Sequence, residues 1–289
     1  AWIFLGNKTT GIVFEADGVY EHIAIEDGIF NGQPTRFLTQ DKSQSAAMYL
    51  HSEELVYSYT KYYELYKLIN PEAENFFLIG GGAYSIPKTI LNDVPKAQVT
   101  VTEIEPGLFS LAKQYFNVKD DPRLSNVMED GRRFLEKTDE RYDVIVSDVY
   151  YSFFSIPSHF TTQEFFNLAK NRLGDNGVFV GNFSGDLLQE NPSFIFSEIK
   201  TFKEIFENNY FFAVNSPKTD RPQNIIFVGV NGAKSIDFTA ASKSKNPIFA
   251  GLAEKHIDIS PVNFTAHQKI TDNFAPVEYL IARVLKKWY

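Results

Sequence analysis

Residues 76–148 carry four short apolar runs: FFLIGGGAYS at 76–85, VTVTEIEP at 99–106, NVMEDGRRF at 126–134 and YDVIVSD at 142–148. Runs of β-branched and aromatic residues this short read as buried strands. Their ends follow an order: a glycine turn, a Glu, an Asp-Gly pair, then an Asp. An open parallel sheet meets its ligand in the crevice beyond the carboxyl ends of its strands. The stretch therefore predicts an α/β fold with a nucleoside-type ligand at that edge.

Outside this block the alternation continues. Strands are expected at 76–80, 98–104, 124–129, 142–148 and 177–183, and helices at 86–92, 108–116, 131–137, 162–173 and 193–208. Two closing strands, 210–214 and 224–230, flank the polar loop SPKTDRPQ. Such a closing pair suits an S-adenosylmethionine-dependent methyltransferase-like (Rossmann-like) sheet better than a nicotinamide-binding one. Upstream, 11–17, 20–27 and 35–41 alternate as antiparallel strands around Asp-Gly and Asn-Gly turns. Residues 1–50 thus form a small N-terminal β-strand module, and 51–289 the Rossmann-like nucleoside-binding catalytic domain. A helix is expected over 53–69, with Leu55, Tyr59, Tyr62, Tyr66 and Ile69 at helical spacing. Residues 231–262 read as mixed, SKSKN as a solvated loop, and 272–289 as a loop followed by a short helix.

Composition narrows the function. The 289 residues are 44% apolar and 22% charged, an ordinary globular balance. The net charge of −8 argues against a nucleic-acid partner, which wants a basic footprint. The chain has no Cys, so disulfides, thiolate nucleophiles and Cys-ligated metals are excluded. His22, His51, His159, His256 and His267 show no close pair at metal-ligand spacing, and no metal is expected. With 27 Phe and 15 Tyr, most aromatic residues belong to the core. Sequons stand at Asn7, Asn182 and Asn263, a pattern that arises often by chance. No apolar stretch approaches bilayer length. The chain opens Ala-Trp-Ile-Phe-Leu without Met, as a processed chain or a soluble domain cut from a longer protein would.

Particular residues follow from the strand ends. Gly80, Gly81 and Gly82 let the backbone approach a ligand and turn tightly into a helix, as any strand-to-helix turn does. The dinucleotide fingerprint asks for a further Gly where Ser85 stands, which weakens a dehydrogenase reading. Glu103 lies 21 residues beyond Gly82 and is placed to accept hydrogen bonds from both ribose hydroxyls. Glu105 faces the other way on a continuing strand. Asp130, before Gly131, serves as a helix cap, as an acceptor for an adenine amine, or both. Asp148 ends the buried run Val144-Ile145-Val146, placed to hold an amine or take its proton. The aromatic run Val149 to Phe154, with Tyr150 and Tyr151, supplies a lid or a pocket wall, or joins the core.

These motifs resemble the polyamine aminopropyltransferases, the spermidine synthase-like family, in its divergent bacterial branch. IGGG resembles the family's nucleoside loop, VTEIEP its ribose-binding strand end, EDGRRFL its Asp-Gly adenine motif and YDVIVSD the strand with its catalytic Asp. HFTTQEFF resembles the segment that resumes after the gatekeeping loop. Val19-Tyr20-Glu21-His22-Ile23 looks like the family's Tyr-Gln strand with Glu21 in place of Gln. Asp41 and Gln44 look like the D-x-x-Q turn that meets the ligand, and Glu53 to Tyr57 like the stretch whose Tyr orients the attacking amine. TDNFAPVEYL is similar to a C-terminal segment of the bacterial branch, which includes members fused to membrane segments.

The resemblance implies transfer of an aminopropyl group from decarboxylated S-adenosylmethionine to a small amine acceptor, without a metal. It implies Asp148 and Tyr57 as catalytic residues and Tyr150 and Tyr151 as the substrate loop. It also implies a homodimer, in the cytoplasm or as the soluble domain of a membrane-anchored parent chain. Two positions depart from the family. Ala83 replaces the Asp that holds the donor's amine, and Tyr151 replaces a second polyamine-gripping Asp. The alternatives are a methyltransferase using S-adenosylmethionine itself, and a non-catalytic nucleoside-binding domain.

Overall fold

The computed structural model describes residues 9–41, 43–150, 156–188, 190 and 192–288. An antiparallel sheet comes first, in the order β1 (Thr9–Asp17), β2 (His22–Phe30), β3 (Gln33–Gln40) and β4 (Ser43–Tyr49). Asn31 and Gly32 both take positive φ, 49° and 76°, in the two-residue turn whose twist matches paired strands. β4 goes beyond the three strands read from sequence. Its SQSAAMY has few β-formers. Pairing with β3 and burial of Ala47, Met48 and Tyr49 fix it instead.

The helix expected over 53–69 is shorter and tighter. A 3-10 segment spans Ser58–Leu68, and Leu55 bridges to Met48. Tyr62, Tyr63, Leu65 and Tyr66 are all buried, more of the circumference than a one-sided amphipathic helix covers. Ser, Thr and Tyr hold α-helical geometry weakly, so packing decides.

Seven strands form the central sheet: β5 (Asn75–Ile79), β6 (Gln98–Thr102), β7 (Leu124–Val127), β8 (Tyr142–Ser147), β9 (Leu173–Gly185), β10 (Asn208–Ala213) and β11 (Gln223–Asn231). Their order is β10-β11-β9-β8-β5-β6-β7. β5 to β9 run parallel, and β11 and β10 close the edge antiparallel. The order reverses between β5 and β8, the switch point where such sheets open a crevice.

Side chains alternate across this sheet. Phe77, Ile79, Ile145 and Phe179 pack under α3 (Gly131–Lys137), α4 (Gln163–Arg172), α5 (Phe194–Lys203) and α9 (Val277–Trp288). Phe76, Leu78, Val144, Val146, Val178 and Val180 pack under the 3-10 segment, α1 (Ser85–Asp93) and α2 (Leu108–Tyr115). Three one-turn helices, α6 (Phe238–Ala241), α7 (Pro247–Ala250) and α8 (Leu252–Lys255), complete that side. No helix among the described residues is long and apolar enough to cross a membrane.

Register sets the functional edge. Ile79 pairs with Thr102 on one side and Ser147 on the other, and Ser147 pairs with Gly181. The next residue along each strand is Gly80, Glu103, Asp148 and Asn182. Hydrogen bonding between strands therefore lays these four along one rim.

Candidate active site

A cavity of about 550 Å³ lies above this rim, roofed by the N-terminal sheet and the start of the 3-10 segment. Of the residues singled out from sequence, Gln44, Tyr57, Gly80, Gly81, Gly82, Glu103, Asp130, Gly131, Asp148 and Tyr150 all line it. Tyr151 lies outside the described residues, as do Ser152, Phe153 and Phe154.

The glycines are sterically required. Gly80 has φ +90°, and a Cβ there would stand 2.7 Å from the Asp148 carbonyl oxygen. The Gly81 and Gly82 amides turn back and donate to Glu103 Oε2, at 2.9 and 3.3 Å. The Glu105 amide donates to Glu103 Oε1 at 2.9 Å. Glu103 is thus held by three backbone donors while still facing the cavity. Glu105 does face away: its carboxylate accepts from the Val19 and Tyr20 amides at 2.9–3.1 Å and ties the β1–β2 turn to the end of β6.

Gly131 brings α3 against β5, since a Cβ there would stand 2.4 Å from Ile79 Cγ2. Asp130 caps α3, accepting from the Arg133 amide at 2.9 Å, and its other oxygen meets His159 Nε2 at 2.9 Å. Burial opposes its charge, but the hydrogen bonds from His159 and Arg133 prevail and hold its carboxyl below the ordinary range.

Asp148 sits deep in the cavity. Asn182 Nδ2 donates to its Oδ1 at 2.9 Å, and Asn182 Oδ1 accepts from Asn224 Nδ2 at 2.9 Å. Burial raises the Asp148 carboxyl above its ordinary value, against the hydrogen bonds from Asn182 and Tyr59. Burial, then the nearby Asp148, keeps the Tyr59 hydroxyl protonated, so it remains a donor. Tyr57 stacks on Tyr59 with ring centres 6.0 Å apart, and the Tyr150 hydroxyl donates to the Asn182 carbonyl at 3.1 Å.

Several site residues escaped sequence reading. Asn182 is the first polar residue after a buried run, in register with Asp148, and that position was the available signal. From sequence, Tyr59 stands out only for its helical spacing within 53–69. His159 lay within a quoted motif but pairs with Asp130 only in the fold. Glu198, on α5, is fully buried outside the cavity lining. Burial pushes its carboxyl well above the ordinary range.

The cavity's charge is one-sided. Glu21, Asp41, Glu103, Glu129, Asp130 and Asp148 line it, and no Lys, Arg or His among the described residues does. Burial pushes the Glu21 carboxyl up to about 7; Gln40, hydrogen-bonded to it, works against this, and Glu103, Asp41 and Glu105 reinforce it.

The spermine/spermidine synthase domain model matches residues 62–239, more than half of the chain. The polyamine aminopropyltransferase of Buchnera aphidicola subsp. Acyrthosiphon pisum is 29% identical over 149 residues, 50% of this chain and 51% of that protein. The enzyme of the same name from Buchnera aphidicola subsp. Schizaphis graminum is 28% identical over 216 residues, 73% of this chain and 68% of that one. The chain thus spans about half the length of the first of these relatives. Among solved structures, a probable spermidine synthase from Corynebacterium glutamicum superposes with a TM-score of 0.73 at 23% identity. It covers 91% of this chain and 97% of that one, and carries the likeness in fold to both sheets. A family match of this extent, over the very strands whose ends form the rim, makes the chain a member of the spermine/spermidine synthase family.

Proposed function

We propose that the chain transfers an aminopropyl group from decarboxylated S-adenosylmethionine to a small amine. The observation that carries the reading is the cavity's charge: six carboxylates and no cationic side chain among the described lining residues. Such a site favours a sulfonium nucleoside and a polyamine, both cationic, and offers nothing to a pyrophosphate cofactor. The family and the relatives' names support it.

In this reading Glu103 takes the ribose hydroxyls, Asp130 the adenine amine, and Gly80–Gly82 and Gln44 shape the nucleoside pocket. The acceptor nitrogen attacks the aminopropyl carbon bonded to sulfur. The C–S bond breaks with its electron pair going to sulfur, leaving neutral methylthioadenosine, and the positive charge moves to nitrogen. The enzyme's share is alignment of the two partners and care of the proton. Asp148, its carboxyl raised by burial, accepts a proton from the amine, while Tyr59, Tyr57 and Asn182 orient the pair.

Ala83 removes a carboxylate that would select the donor in the family pattern, and the whole cavity does that work instead. The α-carboxylate of S-adenosylmethionine would enter a cavity lined by six acidic side chains and, among the described residues, no cationic one. Calorimetry should show the decarboxylated donor binding at least about tenfold tighter, a difference of ~1.4 kcal/mol. An amine panel should then release methylthioadenosine. Tighter binding of S-adenosylmethionine, with methyl transfer, would overturn this reading.

A further inference from the structure

The TDNFAPVEYL segment contributes no residue to the cavity, yet its Asp272 pairs with Arg132, two residues beyond the cavity-lining Asp130. Arg132 grips Asp272 with both guanidinium nitrogens, Nη1 to Oδ1 at 2.7 Å and Nη2 to Oδ2. The same Nη1 donates to the His159 carbonyl at 3.0 Å and to Thr162 Oγ1 at 3.3 Å. Thr162 caps α4 and donates to Asp272 Oδ1 at 2.7 Å. The Asp272 amide donates to Glu164 Oε2 at 2.9 Å. One guanidinium therefore joins three parts of the chain: the first turn of α3, the stretch 156–162 by which the chain returns to the core after Asp148, and the C-terminal turn.

We propose that the Arg132–Asp272 pair is a positioning clamp for the adenine-side edge of the nucleoside site. The proposal rests on the nucleoside reading of Asp130. Arg132 stands two residues after Asp130, so anchoring its head fixes the turn that aims the Asp130 carboxylate. By holding the His159 carbonyl it also fixes the residue whose ring meets Asp130 Oδ2. Exposed ion pairs contribute little. This one is two-pronged, shares its donors with two other groups and leaves the Arg132 side chain only 14% exposed. The C-terminal segment is in this way a working part of a site it does not touch.

The test is calorimetry of methylthioadenosine binding to the full chain, with a double-mutant cycle. Asp272→Asn should weaken binding about tenfold, Arg132→Gln at least as much because it also frees the His159 carbonyl, and the double variant no further than Arg132→Gln, because the pair is lost in all three. Arg132→Lys, which keeps the charge but loses the fork, should weaken binding as well and serves if Asp272→Asn does not fold. Arg123→Gln breaks a comparable pair with Asp121 away from the cavity and should leave affinity unchanged. Wild-type affinity in the Asp272 and Arg132 variants, or losses that add, would overturn the clamp alone. Failure of the wild type to bind methylthioadenosine would overturn the nucleoside reading, and the clamp with it.

Discussion

At the scale of single residues, Asp148 is the proposed base, and its neighbours set its proton affinity. Burial raises its carboxyl, and the Asn182 amide and Tyr59 hydroxyl favour its ionised form. If the ionised form is the base, activity rises as pH climbs through that value. Removing the Asn182 donor raises the value further. Asn182→Ala should shift the acidic limb of the kcat/KM profile upward by about one pH unit or more, the worth of one hydrogen bond to a charge. Asp148→Asn should cut turnover by roughly 10²–10⁴-fold while methylthioadenosine binding persists. An acidic limb at the same pH in Asn182→Ala, or full turnover in Asp148→Asn, would remove Asp148 from its role.

At the scale of elements, the junction of α3 with β5 is closely packed. A Cβ on Gly131 would press into Ile79 Cγ2 at 2.4 Å, with Thr102 Oγ1 at 2.8 Å behind it. Gly131→Ala should cost ~1–3 kcal/mol, the range for an overpacked core, and weaken nucleoside binding as α3 is pushed off the strand. Urea denaturation with a midpoint equal to wild type would show that α3 yields freely. The strand ends were legible because local signals set them: a buried run, then Gly, Glu or Asp where the pairing stops. Gly80, Glu103, Asp130 and Asp148 could be found that way. β4 and the 3-10 segment could not, since partner strands and buried tyrosines decide them. His159 and Asp272 were equally hidden, because each acts through a partner distant in sequence that no local period reveals.

At the scale of the whole molecule, two sets of carboxyls pull stability in opposite directions. Hydrogen bonds to Arg132 and Thr162 outweigh burial at Asp272, so its folded value is depressed; its contribution is present above the unfolded value near 3.8 and lost as pH falls. Glu198 runs the other way. Its folded value lies above the unfolded 4.5, so the fold is favoured below 4.5 and loses that contribution as pH rises. Glu198→Gln should remove this dependence. Relative to wild type, its melting temperature should climb between pH 4 and 8, by ~2–4 °C for each kcal/mol relieved. Parallel curves would mean that Glu198 is neutralised by some other route. The register of the central sheet has a last consequence. Gly80, Glu103 and Asp148 each sit one step beyond the end of their strand, while Asn182 stays inside β9 and pairs with Ile226 of β11. Asp148 is the position where a substitution edits the chemistry and leaves the strand pairing standing, as a socket keeps its shape when its contact is exchanged, and Ala83 and Glu21, in the cavity lining but off the strand ladders, read as exchanges of the same kind.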